Sequence, residues 1–179
     1  MSDIAKLARK VGKTLKEEGV VSLAGKTKRY IQYNSDKKNR MDMYRDILFV
    51  NGCTLPHPER YRVDHQIEQL RAVGFCCEGI SYEKLDISYL KYYRGFVFFR
   101  CPITDNVREF IKIAKAENKA VFYDIDDLVI DQKYTNTIKY LKNMSKEELD
   151  LYNDGVNRMR ETLQMCDYAI TTTERLATE

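Results

Sequence analysis

The chain is poor in the residues that most often announce a chemistry. Among its 179 residues are two histidines, eight glycines, three prolines and no tryptophan. His57 and His65 stand in no serine–histidine–aspartate order and have no zinc-ligand spacing, so neither a triad hydrolase nor a zinc enzyme is indicated. The glycines form no phosphate-cradling loop. Five cysteines, at 53, 76, 77, 101 and 166, include no C-x-x-C pair, and an odd count leaves one outside any complete disulfide scheme. Four lie in or beside expected strands, where a thiol is a small buried hydrophobe. No run of about 18 apolar residues is present, which excludes a spanning helix. The first 16 residues carry Lys or Arg every few positions, which excludes a secretory signal. These absences point to the cytoplasm.

What is present describes a globular chain, 44% apolar and 32% charged. Its formal net charge of +3 is unevenly spread: residues 1–45 hold 12 Lys/Arg against 5 Asp/Glu, the remainder 18 against 22. The excess of positive charge therefore belongs to the leader. The body is mildly acidic, which argues against a nucleic-acid-binding core.

Two amphipathic stretches fill that leader. Ile4, Leu7, Ala8, Val11 and Leu15 recur at helical spacing over residues 3–17, and Val20, Leu23, Ala24, Thr27, Tyr30 and Ile31 do so over 20–31. With their lysines and arginines, residues 3–31 suit an anionic membrane surface, or else a basic hairpin packed on the body. Polar residues 34–45 read as a linker.

From residue 46 onward, apolar runs alternate with helical periodicity. Strands are expected at 46–52 (DILFVNG), 75–80, 95–101 (GFVFFRC), 120–123 (AVFY) and 166–171. Helices are expected at 63–73, 82–93, 105–118, 145–165 and 172–178, with residues 53–62 a loop containing Pro56 and Pro58. Ser145 followed by Glu148 is a capping-box signature. Five alternations predict an α/β fold: a Rossmann-like, doubly wound parallel sheet of about five strands with right-handed crossovers.

The chemistry concentrates where KAVFYDIDDLVID runs from a buried strand into Asp124, Asp126, Asp127 and Asp131. Carboxylates at the carboxyl end of such a strand lie on the ligand-binding edge of an open α/β sheet. FYDIDDL locally resembles the Asp-x-Asp of haloacid-dehalogenase-type phosphohydrolases, in which Asp124 would attack phosphorus and Asp126 act as acid/base. It also resembles the metal-holding Asp-x-Asp of some glycosyltransferases, which would place Mg²⁺ or Mn²⁺ on oxygen ligands. The simplest reading is that Asp124 and Asp127 cap the turn that follows.

A third resemblance spans residues 46–179. DILFVNG, a loop with Arg60-Tyr61-Arg62, the helix IEQLRAVG, then FVFFRCP, VFYDIDDLVID and CDYAITTTERLA follow one another as in the N-terminal, acceptor-side domain of GT-B glycosyltransferases of family 4 (group 1). The basic leader is similar to those of polysaccharide-assembly members. This resemblance implies the first half of a longer, retaining, metal-independent enzyme that moves a sugar from a nucleotide-sugar donor to a hydroxyl of a glycan or lipid-linked acceptor. Its donor-binding C-terminal domain would lie beyond Glu179, and residues 1–179 alone would be inactive. Asp126 and Asp127 would orient or deprotonate the acceptor hydroxyl. Asn51 and Gly52, with Cys53, would floor the cleft, and Arg60, Arg62, Arg100, Thr173 and Glu174 would contact substrate. Arg60 and Arg62 could instead pair with Glu59 and Asp64, and Arg100 with the aspartates. A non-catalytic Rossmann-like binding module is the alternative from another class.

Overall fold

Short runs of Val, Ile, Phe and Tyr that are too short for helices become the inner strands of one sheet. The computed structural model describes residues 45–179, together with Thr27 and Lys28, which are helical. The leader helices expected over 3–17 and 20–31 otherwise lie outside the described residues. The chain divides between Met43 and Tyr44 into two units, and the second of them holds the sheet.

Five strands, β1 (Arg45–Asn51), β2 (Cys77–Ser81), β3 (Tyr93–Phe99), β4 (Ala120–Ile125) and β5 (Tyr168–Thr171), form an all-parallel sheet in the order β2-β1-β3-β4-β5. The order reverses between β1 and β3, the arrangement of a Rossmann-like doubly wound fold. After β1, α1 (Pro56–Glu59) passes through a π-helical turn (Arg60–Asp64) into α2 (His65–Ala72), with helical backbone angles at each junction. α3 (Asp105–Ala116) and α4 (Lys146–Met165) follow β3 and β4, and α5 (Glu174–Ala177) follows β5. Among the described residues no helix is long and apolar enough to cross a membrane.

Side chains alternate across the sheet, so each face has its own core. On one, Leu48, Val50, Phe96, Phe98, Val121 and Tyr123 meet Phe110 and Ile111 of α3, with Phe96 and Phe110 edge to face at 4.8 Å. On the other, Phe49, Cys77, Val97 and Phe99 meet Val63 and Ile67.

Three expectations are corrected. The loop expected over 53–62 is helical from Pro56, because proline at the first helical position lacks only an N–H that would have no partner there. The helix expected over 82–93 is two 3₁₀ turns, Tyr82–Lys84 and Ile87–Lys91. The side chains of Ser81 and Asp86 accept from the N–H groups of Glu83 and Ser88, restarting the backbone twice. β4 runs two residues past Tyr123, which draws Asp124 into the sheet.

The capping box at α4 is complete: the Glu148 N–H donates to Ser145 Oγ (3.2 Å) and the Ser145 N–H to Glu148 Oε2 (2.8 Å). The Ser145 N–H, and after it the Ser145 side chain, holds the Glu148 carboxyl below its ordinary range. Ser145→Ala should cost about 1 kcal/mol in urea unfolding, within the range for lost N-caps. A loss under a few tenths would mean that packing alone fixes this helix end.

Candidate functional site

Parallel strands end on one side of the sheet, so the residues after β1, β3, β4 and β5 are neighbours whatever their distance in sequence. Gly52 follows β1, Arg100 follows β3, Asp126 and Asp127 follow β4, and Thr172 and Thr173 follow β5. Three arrangements result.

The first is buried. Asp124 is fully inaccessible, on the face packed against the helix that follows β1. Arg62 donates to its Oδ1 from Nε (3.0 Å) and Nη2 (2.5 Å), and Gln66 Nε2 to its Oδ2 (2.9 Å). Arg62 and Gln66 are four residues apart, and the π turn sits where this pair meets the sheet. Burial pushes the Asp124 carboxyl up, opposed by Arg62 and Gln66. Asp124 is therefore no turn cap, and with both oxygens engaged it is not presented as a nucleophile. Arg62, for its part, faces inward.

The second arrangement is at the edge. Arg100 leaves β3 with φ +43°, a left-handed conformation that costs a residue bearing a Cβ about 1 kcal/mol or more. Three contacts hold it. Its N–H donates to Asp124 O (3.2 Å), its Nε to Asp126 Oδ1 (2.6 Å), and its Nη2 lies 3.8 Å from Asp127 Oδ2. Burial works against the Arg100 charge, and the carboxylates of Asp126 and Asp127 more than offset it, leaving its pKa above the ordinary value. Asp127 is exposed, and its Oδ1 accepts from the Leu128 N–H (2.7 Å).

Asp126, Asp127 and Thr173 line a cleft of about 480 Å³ beyond the ends of β4 and β5, joined by Tyr134, Thr137 and Arg175 among others. Thr173 also caps α5, accepting from Leu176 N (3.2 Å). Glu174 lies in the first turn of α5, outside the lining.

The third arrangement is under the other edge. Asn51 and Arg60 line a separate cleft of about 280 Å³ between β1, β2 and the helix. Arg60 is engaged there: it pairs with Glu68 (2.6 Å) and Asp64 (3.6 Å), which holds Glu68 below and Arg60 above their ordinary values. Asn51 Oδ1 accepts from Cys53 N (2.9 Å), shaping its own loop.

Gly52 lies between these clefts. Its N–H donates to Phe99 O (2.9 Å), and a Cβ built on it would sit 2.6 Å from Arg100 O and closer still to Cys101 Cα. The close approach is to the chain's own backbone. Gly52→Ala should cost about 1–3 kcal/mol in urea unfolding, because backbone rather than a flexible side chain must yield. Wild-type stability in that variant would show that the two loops part freely.

The sequence patterns led to Asp126, Asp127 and Thr173, which the fold brings together, and to Arg60 and Arg62, which it sends to different places. Gln66, Tyr134 and Arg175 were missed. Gln66 was findable as the residue one turn after Arg62 had the helix been started at Pro56. Tyr134 and Arg175 carry no local signal. Among the described residues, no group of three or more His, Cys, Asp or Glu is placed to hold a metal ion. Burial raises the Cys101 thiol above its ordinary value and Cys166 to about 12, so neither is presented as a nucleophile. Compared with protein-family models and with curated proteins, the chain matches none.

Proposed function

We propose that residues 46–179 are the acceptor-side domain of a GT-B glycosyltransferase, which moves a sugar from a nucleotide-sugar donor to a hydroxyl of a glycan or lipid-linked acceptor. One observation carries this reading. Asp124 is locked away by Arg62 and Gln66, while Asp126 and Asp127 stand at an open cleft on the carboxyl edge of a parallel sheet. A phosphohydrolase needs the reverse, with the first aspartate of Asp-x-Asp facing the phosphate. A carboxylate pair at a cleft suits an acceptor hydroxyl, which donates a hydrogen bond and then a proton as the sugar is transferred.

On this reading the donor and its diphosphate bind a second domain encoded after Glu179, and residues 3–31 hold the enzyme at an anionic membrane face. The test has two parts. The coding region should continue past Glu179 into another α/β domain, and its full product should transfer label from a nucleotide-sugar. A stop codon directly after Glu179 overturns the reading in favour of a binding module. Phosphate release from a generic ester that is abolished by Asp124→Asn overturns it in favour of a phosphohydrolase.

A further inference from the structure

Doubly wound folds commonly bind ligands in the crevice where strand order reverses, here between β1 and β3. In this chain the two loops at that point are pressed together. The Gly52 N–H is bonded to Phe99 O, and not even a methyl group fits between Gly52 and the backbone of Arg100 and Cys101. The larger of the two clefts lies farther along the sheet, about 480 Å³ beyond β4 and β5.

In the lining itself Asp126, Asp127 and Glu179 stand with Arg175. The neighbouring cations are already committed to those carboxylates: Arg100 to Asp126 and Asp127, and Lys133 to Glu179 (3.2 Å). An incoming phosphate would have to compete with the carboxylates for Arg100 and Lys133. Hydroxyl groups would find carboxylate acceptors together with the oxygens of Thr137 and Thr173, which can accept or donate.

We propose that the ligand-binding site of this domain is the β4–β5 cleft rather than the β1–β3 crevice, and that it takes an uncharged polyhydroxylated group. Calling that group the acceptor sugar rests on the transferase reading; the location and the chemical class do not. A phosphate or pyrophosphate on the acceptor is then bound elsewhere, and the sugar enters the cleft by its hydroxyls.

Amide NMR of the 179-residue chain tests this with methyl glycosides of glucose, galactose, mannose and N-acetylglucosamine, against inorganic phosphate and glycerol 3-phosphate. At least one glycoside should saturably shift Tyr134, Thr137, Thr173 and Leu176 while leaving Asn51 and Cys53 unmoved, and neither phosphate should do so. Asp127→Asn should weaken that binding roughly tenfold, as for one lost charge-assisted hydrogen bond. The proposal is overturned by shifts centred on Asn51 and Cys53, by phosphate binding the cleft as tightly as the glycosides, or by no glycoside saturating it at tens of millimolar. Binding in the cleft without transfer by the full gene product counts against the transferase reading alone. Transfer without binding in the cleft counts against this inference alone.

Discussion

Arg62→Leu should lower stability at pH 7 by about 3–5 kcal/mol, the range for breaking a buried ion pair by removing one partner. The reason is an asymmetry of burial. Arg62 keeps 17% of its side chain exposed, whereas Asp124 keeps none and cannot reach water when left alone. Gln66 would remain on one oxygen. The loss should depend on pH in a defined direction. Without Arg62, desolvation of the carboxyl dominates, and its folded pKa rises far above the value of about 3.9 in the unfolded chain. Such a group contributes fully to stability below the unfolded pKa, and the contribution is lost as pH rises through the folded pKa. The variant should therefore approach wild type near pH 4 and fall behind progressively toward neutrality. Urea unfolding at a series of pH values measures this. A deficit that does not change with pH would mean that Arg62 acts through packing and not through the charge of Asp124.

On the transferase reading proposed above, Asp126→Asn in the full gene product should lower sugar transfer by about 10²–10⁴-fold, the span for a side chain that orients or accepts the transferred proton. The amide keeps the shape of the carboxylate and removes its charge, so Arg100 loses its closest partner and the cleft its most constrained acceptor. Asp126 is the stronger choice because Arg100 fixes it at 2.6 Å, whereas Asp127 is 63% exposed. Transfer kinetics should show the loss in kcat more than in KM, since the hydroxyl is bound but not activated. Equal turnover by wild type and variant would remove Asp126 from the reacting group and leave Asp127 to be tested the same way. Thermal unfolding of the same variant separates a folding defect from a catalytic one.

Much of the architecture was legible from local pattern. The buried runs DILFV, GFVFF and AVFY are too short and too β-branched or aromatic for helices. The stripes Val107-Ile111-Ala114 and Val156-Met159-Leu163 have helical spacing, and Ser145 with Glu148 announces a helix start. Each signal lies within a few residues of the element it specifies, so no tertiary information is needed to read it. Alternation of the two periods then leaves a parallel sheet as the economical arrangement, and its carboxyl edge as the place to look for chemistry.

What the fold alone decided is which carboxylate does what. Asp124, Asp126 and Asp127 fall within four residues and are the same residue type. Their difference comes from partners 26 to 62 positions away: Arg62 and Gln66 for Asp124, and Arg100 for Asp126 and Asp127. Where β4 ends fixes which side chain enters the sheet face and which turns outward, and one residue of difference reverses the assignment, because side chains alternate along a strand. The same holds for Gly52, whose small size matters only because β3 lies beside it, and for Tyr134 and Arg175, which share a cleft through the fold of the chain. Local pattern determined most of the elements and the edge; long-range contacts determined the site, because ion pairs and close approaches are properties of neighbours in space.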